Sequence, residues 1–126
     1  TFQTHIQTLI AQIRKYNGNA PIYLFSIYNP FYVYFPNLTK MQTSVKEWNA
    51  ATEKTVGQLH RVHFVDVNKT LSYGTAADQR SMKAGKSSVT NHLIYTKDHF
   101  HPNNAGYVKM TAKLWSSMSA TEDEWQ

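Results

Sequence analysis

The chain has 126 residues, 41% of them hydrophobic and 17% charged, enough for one domain with a core and too balanced for a disordered or fibrous chain. It has no cysteine, which excludes disulfide scaffolds, thiolate zinc sites and cysteine nucleophiles, and no apolar run approaches the ~20 residues of a membrane span. Thirteen Lys and Arg stand against eight Asp and Glu, net +5, with Glu122, Asp123 and Glu124 crowded at the end; the cations are scattered, the pattern of a solvated surface more than of a nucleic-acid track.

In chain order, Phe2, Ile6, Leu9, Ile10 and Ile13 recur at helical spacing, Tyr16 follows, and Asn17-Gly18-Asn19-Ala20-Pro21 supplies a stop and a turn. Ile22 to Tyr28 is apolar at nearly every position, which predicts a strand covered on both faces. Asn29 to Asn37 reads as a loop dense in aromatics between Pro30 and Pro36. A second helical pattern runs from Thr39 to Leu59, and His63 to Val67 reads as a second strand. Asn68 to Thr90 lacks an apolar period and is expected to be a long surface segment, with Arg80, Lys83 and Lys86 on a solvated face. Tyr107, Met110, Leu114 and Met118 then mark a last helix, with Asn103 or Asn104 as its cap.

This alternation predicts an α/β layered fold. Two strands joined through a helix must run parallel, and two strands alone make too narrow a sheet for parallel pairing. The first strand would leave an open edge. Either identical copies associate through that edge, or its neighbours lie on another polypeptide. The first residue is Thr, as expected of a processed or excised chain.

The chemistry concentrates in Asp98-His99-Phe100-His101-Pro102. Asp98 and His101 are three apart just before a helix, so a turn can set the carboxylate on one imidazole nitrogen and leave the other for a substrate. That is the orienting half of a nucleophilic triad. Pro102 biases His101 towards an extended backbone. His99 and His101 form an H-x-H that, with His92 or Asp98, leaves a metal site open as a lesser alternative; His5, His60 and His63 show no ligand spacing. Phe31, Tyr32 and Tyr34, beside Asn29, follow a parallel strand and are candidates for a substrate wall.

Asp98 to Pro102, with Asn103-Asn104-Ala105-Gly106-Tyr107 and a helix behind it, resembles the last conserved block of the SGNH or GDSL hydrolases, a family of esterases and lipases. Ile27 to Tyr32, and Trp48-Asn49, are similar to its YpmR-like bacterial branch. The resemblance implies a flavodoxin-like three-layer α/β/α sandwich with a parallel sheet, of which residues 1–126 would be the carboxyl-terminal part of a single domain. It also implies Asp98 as triad acid and His101 as catalytic base, and a substrate with an ester or acyl bond, cleaved without a cofactor or metal. The family's Gly-Asp-Ser nucleophile block and its oxyanion-hole blocks do not occur here, and none of the nine serines sits in Gly-Asp-Ser or Gly-x-Ser-x-Gly. The expectation is therefore a chain inactive alone, completed by a separate amino-terminal half or by self-association at the sheet edge. The resemblance fits an exported or envelope-attached bacterial protein. A non-enzymatic carbohydrate- or polyanion-binding module, using the aromatic loop and the basic surface, is the competing expectation.

Overall fold

A computed structural model describes residues 1–86 and 88–126. The order is α1 (Phe2–Tyr16), β1 (Ile22–Phe25), α2 (Thr39–Val56), β2 (Val62–Val65), α3 (Asn68–Tyr73), α4 (Ala76–Lys83), α5 (Asn104–Ala120) and a closing 3-10 turn (Glu122–Glu124). The chain is α/β, with a sheet of two parallel strands in which Ile22 pairs with Val62 and Phe25 with Val65.

Alternation along the strands sends successive side chains to opposite faces. Ile22, Leu24, Val62 and Phe64 pack with Ile6 and Ile10 of α1 and with Val56 and Leu59. Tyr23, Phe25 and Val65 pack with Val67, Leu71, Leu93 and with Met110 and Leu114 of α5. Helices thus cover both faces of the strand pair, which is why both strands read as nearly unbroken apolar runs. Arg14 in the last turn of α1 donates to the carbonyls of His60 (2.8 Å) and Arg61 (3.1 Å), tying the end of that helix to the entry of β2.

The expected strand over residues 22–28 ends at Phe25, because side chains take over the hydrogen bonding. Ser26 Oγ accepts from Val67 N at 2.8 Å, and the Asn49 amide of α2 both accepts from Ile27 N and donates to Ile27 O at 2.9 Å. β2 starts one residue early and stops at Val65, where Asp66 Oδ1 accepts from Asn68 N (2.9 Å) and turns the chain into α3. The expected long surface segment is a correction: residues 68–83 form two short helices. At six and eight residues they are too short to show a period. A local signal was there for α4, since Thr75 and Asp78 form a reciprocal capping box.

Ile22 N and Ser26 N bond to Arg61 O (2.8 Å) and Val65 O (2.9 Å), so even-numbered residues of β1 address β2. Tyr23 and Phe25 turn their main-chain groups to the other edge, where no strand pairs with them among the described residues.

Candidate active site

The loop from Leu93 to Asn103 is closed by its own backbone. Tyr95 N bonds to His101 O (2.8 Å), Asn103 N to Leu93 O (2.9 Å), and Ile94 forms an antiparallel bridge with Pro102. At the tip His99 N returns to Tyr95 O (2.8 Å), and His99 takes a left-handed φ of 52° to make the turn. Behind the loop, Asn103 Oδ1 caps α5 by accepting from Gly106 N (3.0 Å), while its Nδ2 donates to His92 O (2.8 Å). Gly106 is required: a Cβ there would run into the Leu93 carbonyl and the Pro102 ring.

Within this frame Asp98 Oδ2 meets His101 Nδ1 at 2.7 Å, and Asp98 Oδ1 accepts from Phe100 N (2.9 Å) and His101 N (3.1 Å). The carboxyl is held below the usual carboxylate range, first by the Phe100 N–H and then by the His101 imidazole. It therefore stays ionised across the neutral range and fixes the ring's tautomer. The imidazole is 64% exposed, and its Nε2 has no hydrogen-bond partner among the described residues. An imidazole so held can take a proton at Nε2 and return it. Phe100 stands edge-on to the His101 ring at 5.1 Å. Tyr28, just past β1, donates its hydroxyl to Phe100 O (2.8 Å); burial, with Tyr107 and Asp98 nearby, pushes its pKa up to about 12, so it remains a donor.

The other predicted site residues lie around this loop. Tyr34 packs edge-on against His99 at 5.0 Å, and its hydroxyl accepts from Asn91 N. Tyr32 packs against Tyr73 of α3 at 4.7 Å with the rings tilted by 41°, and Phe31 is half-buried. Asn29 is buried: its N–H donates to Ser72 Oγ (2.8 Å), its Nδ2 to Gln42 Oε1 (3.1 Å), and its Oδ1 accepts from Phe31 N (3.0 Å). It shapes the aromatic loop from within. The H-x-H does not converge on a point: His99 faces Tyr34, His101 holds Asp98, and no three His, Asp or Glu side chains gather at metal-binding geometry among the described residues. Among those same residues no serine hydroxyl bonds to His101 or Asp98, and Ser26 and Ser72 are buried in other hydrogen bonds.

Sequence reading missed a second acid–imidazole pair. Asp78 of α4 is 2% exposed, and its Oδ1 lies 2.5 Å from His92 Nδ1 while its Oδ2 accepts from Thr75 N (2.8 Å) and His92 N (2.9 Å). Burial pushes this carboxyl up, but the His92 and Thr75 hydrogen bonds outweigh it and the net shift is downward. Fourteen residues separate the partners, so no local pattern announces them. The capping box at Thr75 was the only accessible hint that Asp78 is engaged.

A parallel strand pair with helices on both faces, carrying an acid-oriented imidazole just ahead of the last helix, defines an α/β chain. The profile of the GDSL-like lipase/acylhydrolase family matches residues 1–109, and the chain belongs to that family. It is also 23% identical over 117 residues to the uncharacterized protein YpmR of Bacillus subtilis, an alignment covering 93% of this chain and 40% of that protein. The chain thus spans well under half the length of this curated relative. No solved structure matches it.

Proposed function

We propose that this chain is the carboxyl-terminal part of a serine esterase or acylhydrolase, supplying His101 as catalytic base and Asp98 as its orienter. The observation that carries this reading is the 2.7 Å contact of His101 Nδ1 with Asp98, in a ring whose other nitrogen is turned to solvent. A serine hydroxyl from outside these residues would give its proton to Nε2 as it attacks an ester or acyl carbonyl. The imidazolium, stabilised by Asp98, would then return the proton to the leaving alcohol, and water would repeat the cycle on the acyl-enzyme. Oxyanion donors would come with the serine.

Tyr34 of the aromatic loop lies against His99, two residues from His101, which supports a substrate wall beside that loop. Tyr34, against His99, borders a cleft of about 410 Å³ whose apolar lining includes Val33, Phe35, Pro36, Met82 and Val89. In this reading Phe31, Tyr32 and Tyr34 contact the acyl group, and Asn29 holds their loop in place. The unpaired edge of β1 receives the next strand of a three-layer α/β/α sandwich, contributed by an amino-terminal segment of the same domain.

The test is to mix this chain with a polypeptide supplying the amino-terminal part of a GDSL domain and to assay a short acyl ester. The chain alone should show no turnover and the mixture should show it. His101→Ala should lower turnover by roughly 10³–10⁴-fold. Full activity of that variant in the mixture contradicts the assignment, as does turnover by the chain alone. A chain that forms a dimer of itself and refuses the added segment would replace the amino-terminal segment with a second copy at the β1 edge.

A further inference from the structure

We propose that the cleft between α3, the start of α4 and α5 binds a phosphate ester, a site separate from the hydrolase centre and independent of that reading. The cleft holds about 700 Å³. Lys69 of α3 and Lys109 and Lys113 of α5 line it, and no Asp or Glu does. On α5 the lining positions 109, 112, 113 and 116 follow helical spacing, so both lysines of that helix lie on the one face that borders the cleft. Among the described residues the ion pairs are all made by histidines, so none of these lysines has a carboxylate within ion-pair distance. Asp78 nearby is engaged by His92 and Thr75 and does not line the space.

Three unpaired ammonium groups around one concavity focus a positive field, and low-dielectric walls strengthen it. Lysine is a point-charge partner for phosphate. Hydroxyls of Thr70, Thr75 and Ser116 add neutral donors to oxygens that three lysines leave open. The volume exceeds what inorganic phosphate fills, and Tyr73 and Ala112 offer an apolar surface for the organic part of an ester. A soluble phosphate ester and the headgroup of an anionic phospholipid share this chemistry. None of the lining residues belongs to β1.

The chain is titrated at low salt with glycerol 3-phosphate, following amide chemical shifts and the melting temperature, and sedimented with vesicles of phosphatidylglycerol or of phosphatidylcholine. Saturable shifts confined to α3, residues 74–79, Leu93 and α5 are expected, with a rise in melting temperature. Lys109→Gln with Lys113→Gln should weaken binding about tenfold, whereas Lys40→Gln with Lys54→Gln on α2, an equal loss of charge, should leave it unchanged. Sedimentation with phosphatidylglycerol vesicles alone, abolished by the α5 pair and kept by the α2 pair, assigns the headgroup as the source. No saturable response to either probe overturns the proposal, and so does equal weakening by both pairs, which would mean net charge and no site.

Discussion

Among the described residues two aspartate–histidine pairs are bonded through the same imidazole nitrogen, at 2.5 and 2.7 Å, and they differ in what surrounds them. In the Asp78–His92 pair the acid is sealed inside, 2% exposed, and ties Thr75 at the start of α4 to the backbone of His92. In the Asp98–His101 pair the acid is 38% exposed and holds only its own turn. Distance alone therefore does not identify a catalytic dyad. What each acid holds separates them, since the rings are alike in exposure at 68% for His92 and 64% for His101: Asp78 joins two segments, while Asp98 bonds only its own turn and one ring.

The largest effect is expected at the buried acid. Asp78→Ala leaves two backbone N–H groups and an imidazole without their acceptor, at a cost of about 2–4 kcal/mol, seen as a melting point lower by roughly 10 °C. The acid limb follows from the same bonds. The folded carboxyl titrates below its unfolded value of about 3.9, so its stabilisation is full above that pH and is lost as pH falls through the lower, folded value. Melting temperatures taken from neutral pH down into the acid range should fall less steeply for Asp78→Asn than for the parent chain.

Gly106 joins the two pairs, because the added Cβ would strike Leu93, next to His92, and Pro102, next to His101. Gly106→Ala should cost about 1–3 kcal/mol by denaturant unfolding, and amide shifts should move in both loops together. A change confined to one loop would show the two pairs to be mechanically separate.

A smaller effect sharpens the exposed pair. Tyr28→Phe removes the hydroxyl that anchors Phe100 O and should cost about 1 kcal/mol. Its expected signature is faster hydrogen exchange at Phe100 and His101, with Asn91 to Leu93 unchanged. In the parent chain this phenol's contribution is complete below its unfolded value of about 10 and is lost as pH rises through about 12.

How much of this was legible follows from sequence separation. Asp98 and His101 lie within one turn and next to Pro102, so the residues themselves announced the pair. The open edge of β1 followed from having two strands joined by a helix, and both strands are where apolar runs placed them. Their far ends were not legible, because Ser26 and Asn49 replace ladder bonds with side-chain bonds set by tertiary contact. α3 and α4 were hidden by shortness. Asp78 and His92 were hidden by the 14 residues between them, since only folding brings them together. Asn29 was legible as a marked position but not as a buried one, because its three partners lie on separate elements or across the loop it turns.

The most direct test sets Asp98→Asn beside Asp78→Asn in the chain completed by an amino-terminal segment, measuring ester turnover and thermal unfolding on each, with turnover taken well below both melting points. The account predicts that Asp98→Asn keeps its melting temperature and loses turnover on the order of 10⁴-fold, as a misoriented base should, while Asp78→Asn melts several degrees lower and keeps most of its turnover. Full turnover by Asp98→Asn, together with a collapse of turnover in a still-folded Asp78→Asn, would contradict it.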